Sequence, residues 1–121
     1  MNTSVINLKE KSSKIKELHS YKIIVQMNDY YFKLIKVKRE FIWHKHTDTD
    51  EVFIVVEGSL QVSLRDKILK LREGELVVVP KGVEHKTACS EECTVLLIEP
   101  AGTLNTGDAG GALTDTSLEW I

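Results

Sequence analysis

Cysteine is scarce in this sequence, and long apolar runs are missing from it. The two cysteines, Cys89 and Cys93, are separated by three residues, a spacing that suits neither a zinc knuckle nor a redox CxxC pair. They could face each other across a tight hairpin, but we expect two free thiols in a reducing cytosol. No apolar run approaches the roughly 18 residues of a membrane span, and the polar N-terminus lacks the apolar core of a signal peptide. We therefore expect a cytoplasmic protein with no membrane partner.

An excess of either charge is also missing. Lysine and arginine number 16 against 18 for aspartate and glutamate, which gives a net charge of −2. Nothing in that balance indicates a nucleic-acid partner or binding to an anionic surface. At 121 residues, 42% of them hydrophobic and 28% charged, the chain has the length and composition of one globular domain with a single core.

Helical periodicity is weak throughout. Between Tyr21 and Pro100, short apolar runs are bounded by glycine, proline, asparagine or aspartate, and no convincing helix exceeds about ten residues. This pattern predicts an all-β sandwich or barrel over residues 21–100. Residues 1–20 form a lysine- and glutamate-rich N-terminal arm that could be a weak helix or a short strand. Residues 101–121 hold four of the seven glycines, and we expect this tail to dock on the barrel through its apolar end.

Three of the four histidines stand near strand-like segments, together with a glutamate. His44 and His46 share one face of a strand, because successive side chains point to opposite faces. Glu51 would face the other way on an unbroken strand, but the turn-forming TDTD segment lets the chain bring it back toward the imidazoles. His85 opens a later strand. Imidazoles and a carboxylate on rigid strands predict a site for a divalent transition metal, which could be Mn, Fe, Co, Ni or Zn.

These residues occur at the spacings of two known motifs. The pattern G(X)5HXH(X)3-4E(X)6G is met by His44, His46, Glu51 and Gly58, and the pattern G(X)5PXG(X)2H(X)3N by Gly74, Pro80, Gly82 and His85. Lys38 stands where the first motif opens with glycine, and Cys89 where the second closes with asparagine. On these residues the chain resembles the small single-domain cupins, including those similar to mannose-6-phosphate isomerase.

The resemblance implies a double-stranded β-helix, the cupin type of jelly-roll barrel. It also implies one divalent transition metal inside the barrel, held by His44, His46, Glu51 and His85. Neither departure from the motifs falls on a ligand position, so the implied metal site is complete. Small cupins commonly form homodimers through their N-terminal strands. The segment VFIVV, which is apolar on both faces, agrees with a homodimer here.

The resemblance implies the activity of the protein less directly than it implies the metal site. The resemblance implies a metal-dependent enzyme that acts on a small polar metabolite in the barrel, such as a sugar isomerase, an epimerase or a lyase. A metal-dependent dioxygenase and a non-catalytic module that binds a small molecule stay open as alternatives. Proton transfer would need a separate acid or base, for which the candidates are Glu57, Cys89, Tyr30 and Tyr31.

Overall fold

Two β-sheets make up most of the computed structural model, which describes residues 3–121. A short helix precedes the strands, and an irregular segment follows the eighth one. The elements in chain order are α1 (Leu8–Ser13), β1 (Lys22–Met27), β2 (Tyr30–Val37), β3 (Glu51–Glu57), β4 (Ser59–Leu64), β5 (Ile68–Arg72), β6 (Leu76–Val79), β7 (His85–Ala88), β8 (Cys93–Pro100) and β9 (Glu119–Trp120). No helix within the described residues is long and apolar enough to cross a membrane.

The two sheets contain six and three strands and enclose one core. The order is β6-β3-β8-β2-β1-β9 in the larger sheet and β5-β4-β7 in the smaller one. Paired strands are antiparallel except for β1 and β9, which run parallel. Val55 and Leu97 of the larger sheet meet Val62 and Leu71 of the smaller one in the apolar core, as expected for two sheets packed face to face. The predicted all-β jelly-roll barrel is confirmed.

The outer face of the larger sheet is covered in part by both ends of the chain. Leu34 of β2 is fully buried there in a second apolar cluster with Ile15, and Ile121 packs against the same cluster. Lys11 Nζ of α1 donates a hydrogen bond of 2.8 Å to the carbonyl oxygen of Ile121. The two chain ends therefore stabilise the sheet from outside, opposite to the barrel interior.

The cysteines lie where the chain passes from the smaller to the larger sheet. Both are free thiols, which confirms the prediction from their spacing. Cys93 is buried at the start of β8, and burial raises the pKa of its thiol to about 12. Cys93 is therefore a packing residue, because thiol reactivity requires an accessible thiolate.

Candidate metal centre

Backbone pairing positions the residues that the motifs single out. His44 lies between β2 and β3 and pairs with His85 of β7: His44 N donates to His85 O over 3.0 Å, and His85 N donates to His44 O over 2.9 Å. The carbonyl oxygen of His46 accepts a bond of 2.8 Å from Gly82 N. Glu51 is the first residue of β3, in the other sheet. Each of these side chains therefore starts from a backbone position that hydrogen bonding holds in place.

The four side chains converge on one point inside the barrel. One potential ligand atom from each of His44, His46, Glu51 and His85 lies within 4.8 Å of the others, and all four residues are buried. Glu51 contacts two imidazoles, with Oε2 3.2 Å from His46 Nε2 and Oε1 3.2 Å from His85 Nε2. Adjacent ligands bonded at about 2.1 Å to one ion lie roughly 3.0–3.4 Å apart. The arrangement is compatible with a divalent metal.

Hydrogen bonds outside the cluster determine which imidazole nitrogen faces it. His44 Nδ1 lies 2.9 Å from Ile42 O, and His85 Nδ1 lies 2.9 Å from Val83 O. A carbonyl oxygen can only accept, so each Nδ1 carries the proton and each Nε2 keeps its lone pair for a ligand. His46 Nε2 is buried without a hydrogen-bond partner. The lone pair of His85 Nε2 faces a carboxylate oxygen of Glu51, and His46 Nε2 has no partner. A bound cation would satisfy both nitrogens.

The surroundings favour the protonation states in which these groups bind metals. Burial lowers the pKa of His44, so its imidazole is neutral near pH 7. Burial by itself would raise the pKa of Glu51, but the neighbouring polar side chains of Glu99, His46 and His85 outweigh it and hold the pKa well below its usual range. A neutral imidazole and an ionised carboxylate are the forms that coordinate a divalent cation.

A buried ion pair that the sequence analysis missed lies beside the cluster. Lys33 Nζ donates to Glu99 Oε1 at 3.1 Å and to Thr103 O at 3.2 Å. The side chains of Lys33 and Glu99 are 3% and 1% exposed. Burial, together with the neighbouring carboxyl of Glu51, raises the pKa of Glu99 well above its usual value. A signal was available for Glu99, because it is the one charged residue of the apolar strand β8.

A cavity of about 20 Å³ adjoins the cluster. It is lined by Tyr21, Phe41, His44, Glu51, Phe53, Thr87, Leu97 and Asn105. Tyr21 and Asn105 form a polar pair in this wall, and burial, with the charges of Glu51 and Glu99, raises the pKa of the Tyr21 hydroxyl. Sequence reasoning missed both residues, because they lie outside the motifs and no pattern of their own segments marks them.

The four acid–base candidates from the sequence lie away from this cavity. Glu57 is exposed at the end of β3, and Cys89 lines a groove on the protein surface. Tyr31 contacts Trp120 edge-on, with ring centroids 5.6 Å apart, and Tyr30 is exposed. Their positions contradict the hypothesis that one of them acts on a ligand in this cavity.

Comparison with known proteins identifies the family. Residues 31–99 match the family model described as Cupin domain. The chain is 34% identical over 94 residues to YdbB of Bacillus subtilis, which covers 77% of this chain and 83% of that protein. A cupin-2 domain containing protein from Shewanella frigidimarina is 54% identical, with a TM-score of 0.77 over 79% of this chain and 94% of that one. Protein NMB1881 from Neisseria meningitidis is 35% identical, with a TM-score of 0.73 over 81% and 100% of the two chains. The chain belongs to the cupin family, which confirms the resemblance seen in its motifs.

The Lys33–Glu99 pair yields a prediction about stability. Lys33→Met leaves Glu99 buried without its cation, and we expect the metal-free variant to lose about 3 kcal/mol of unfolding free energy near pH 7. Because the pKa of Glu99 is raised in the folded state, the native protein holds a proton that the unfolded chain loses above the ordinary value of 4.5. The stability of Lys33→Met should therefore fall as the pH rises from 5 to 8. Urea denaturation at several pH values measures both effects.

The double variant Lys33→Met/Glu99→Gln is the matched control. It removes both charges and keeps a side-chain amide next to Glu51, so it should recover most of the lost stability and its pH dependence should be weaker. A double variant as unstable as Lys33→Met would show that the loss comes from the packing of the lysine stem and not from an unpaired carboxylate.

Proposed function

We propose that this cupin binds one divalent transition metal through His44, His46, Glu51 and His85 and acts as a metal-dependent enzyme on a small polar metabolite. One observation carries the proposal. Four buried ligand atoms lie within 4.8 Å of one another, beside a cavity lined by a tyrosine and an asparagine. Placing an ionised carboxylate and three imidazoles together in a dry interior is costly unless a cation joins them.

The residues around the cavity support chemistry on an oxygen-containing group. A bound divalent metal would act there as a Lewis acid toward a carbonyl or hydroxyl oxygen of the metabolite. The hydroxyl of Tyr21 and the amide of Asn105 can donate or accept hydrogen bonds in the same cavity. Phe41, Phe53 and Leu97 make the rest of its wall apolar, which strengthens these interactions. Isomerisation, epimerisation and elimination are reactions that profit from such a site.

The outer approach to the cluster favours a metabolite without phosphate. A surface cleft of about 430 Å³ reaches His46 from outside, and its walls include three threonines, two aspartates and a single lysine, Lys45. Phosphate groups are recognised in most sites by several lysines or arginines. We therefore propose a neutral polar metabolite, such as a sugar without phosphate, over a sugar phosphate.

A metal-dependent dioxygenase is the second candidate. The cavity of about 20 Å³ beside the cluster accepts a molecule of two heavy atoms, which is the size of dioxygen. That chemistry requires a redox-active ion such as Fe, Mn, Ni or Cu, whereas a Lewis-acid reaction also proceeds with Zn. The identity of the metal therefore separates the two candidates in part.

Removing one ligand should remove the metal. Untagged protein is expected to hold about one equivalent of a transition metal, and His85→Ala about a tenth of that or less, because the lost imidazole is one of four ligands. Elemental analysis by mass spectrometry measures both. His19→Ala is the matched control, since His19 lies outside the cluster. A wild-type protein that stays metal-free after incubation with Mn, Fe, Co, Ni and Zn in turn would contradict the proposal.

Solvent isotope exchange tests the activity. Metal-loaded protein incubated with neutral sugars in D2O should introduce deuterium next to the carbonyl carbon, which proton NMR detects, and His85→Ala should not. Substrate-dependent oxygen uptake without such exchange would favour the dioxygenase. Ligand binding by calorimetry with neither reaction would indicate a non-catalytic module.

We also propose that the protein is a homodimer, with the cytoplasm as its compartment. Leu76 and Val78 of β6 are 59% and 49% exposed, and they adjoin Ile54 and Val52 of β3 on the outer face of the larger sheet. An apolar patch at a sheet edge is a common site of association, and a second copy of the chain would cover it.

Light scattering tests the homodimer. The wild-type protein should have twice the mass of the chain at micromolar concentration. Val78→Asp should lower it toward that of one chain, because a charge in an apolar interface is desolvated without a partner. Ile68→Asp is the control, since Ile68 is similarly exposed, at 58%, on the smaller sheet. A monomeric wild type, or equal effects of the two variants, would argue against this interface.

A further inference from the structure

The irregular segment after β8 covers the candidate metal centre. We propose that residues 101–115, called here the strap, are a gate: a metabolite reaches the cluster only after the strap separates from Lys45. This inference rests on the proposed function, because it assigns the strap a role at that same site. Asn105 and Thr106 are 8% and 0% exposed in the middle of the strap, and Asn105 lines the cavity next to the cluster.

The seam between the strap and the HKH segment is short and polar. Lys45 N donates to Asp108 Oδ1 at 2.9 Å, and Asp108 N donates to Lys45 O at 3.0 Å. Gly107 approaches the same carbonyl so closely that an added Cβ atom would clash with Lys45 O. Lys45 stands between two of the ligand residues, His44 and His46. The strap therefore closes against the backbone that carries these imidazoles.

Two spaces of very different size lie on either side of the seam. The inner cavity, about 20 Å³, holds about one water molecule. The outer cleft, about 430 Å³, is lined by Lys45 and His46 on one side and by Leu104, Gly107 and Asp108 of the strap on the other. A metabolite fits the outer cleft but not the inner cavity. Opening the seam is the movement that would join the two.

The strap is built to move as a unit. Its own bonds brace it: Asn105 Nδ2 donates to Leu113 O at 2.9 Å, and the hydroxyls of Thr106 and Thr114 lie 2.6 Å apart. None of residues 101–115 belongs to a strand of either sheet. Four other lining residues are different, because Glu51, Phe53, Thr87 and Leu97 all lie on paired strands. Separating the strap from Lys45 breaks two hydrogen bonds, and a full opening also breaks those from Tyr21 N and Lys33 Nζ. None of these bonds belongs to a strand ladder, which moving a strand would break.

The closed strap also defines what the inner cavity can bind. Tyr21 stands opposite Asn105, and Tyr21 N donates to Asp115 Oδ2 at the far end of the strap over 3.1 Å. A ligand under the closed strap is therefore limited to a water-sized or diatomic molecule between the cluster and this polar pair. A larger substrate presents only its reacting group here once the strap has opened.

Metal removal by a chelator tests the gate. Asp108→Ala deletes the carboxylate that holds Lys45 N, and Gly107→Ala places a Cβ against Lys45 O, so both variants should loosen the seam. Protein loaded with Co²⁺ is mixed with EDTA, and loss of the cobalt absorption bands gives the release rate. We expect about fivefold faster release in Asp108→Ala, the change that follows from removing one hydrogen bond from the closed state, with unchanged stoichiometry. Gly107→Ala should also release the ion faster.

Asp48→Ala is the matched control. Asp48 is exposed in the same outer cleft, so its removal changes the charge near the site as Asp108→Ala does while the seam stays intact. Hydrogen–deuterium exchange gives an independent readout, in which Asp108→Ala should speed exchange in residues 101–115 and leave β3 and β8 protected.

The outcomes separate the two proposals. Faster release in both seam variants, with Asp48→Ala close to wild type, supports the gate. Release at the wild-type rate from a strap that exchanges faster would overturn the gate and leave the metal centre intact. Failure of the wild-type protein to bind Co²⁺ or any other tested ion would overturn the proposed function and this inference together.

Discussion

The burial of the Glu51 carboxylate among three imidazoles is the interaction on which the rest of the structure depends. Removing a carboxylate from water costs several kcal/mol, and its two oxygens, each 3.2 Å from an imidazole nitrogen, need compensation at that point. The compensation requires fixed geometry, and backbone hydrogen bonds supply it. His44 and His85 bond to each other through their backbones, and their Nδ1 atoms are oriented by carbonyl oxygens two residues earlier. The barrel is therefore the support of a costly polar cluster.

The desolvation cost of burying charged groups extends to the strands next to Glu51. Glu99 is a neighbour of Glu51, so a second carboxyl enters the same low-dielectric interior, where Lys33 is its partner. Lys33 in turn donates to Thr103 O, in the segment that closes the barrel. One connected set of polar contacts thus runs from the candidate ligands through β8 and β2 to the tail. A change in any member alters the electrostatics of the others, which is why these positions are coupled despite their distance in sequence.

How far the sequence could predict this arrangement depends on how local each signal was. The turn expected to return Glu51 toward His44 and His46 is present, because this relation involves neighbouring residues. The strand expected to carry the two histidines is not: they lie between β2 and β3, where His44 forms an isolated bridge with His85. Lys33 and Glu99 are 66 residues apart, and no periodicity predicts that two inward positions on different strands meet. Tyr21 and Asn105 approach the cavity from outside both motifs. Glu57, Cys89, Tyr30 and Tyr31 were the acid–base candidates of the sequence analysis, and none of them lines the cavity beside the cluster.

A metal centre needs ligand residues that stay in fixed positions and also a route by which a metabolite can enter. In this fold two kinds of backbone meet these two needs. Ladder-paired strands hold Glu51 and His85 in place, but they cannot open without losing several hydrogen bonds at once. A site enclosed by strands on every side would bind its ion and admit no metabolite. The wall formed by residues 101–115 has no ladder, and its seam with Lys45 consists of two hydrogen bonds and one close glycine contact. The segment with the least regular structure is therefore the part of the molecule that can determine which ligands reach the cluster.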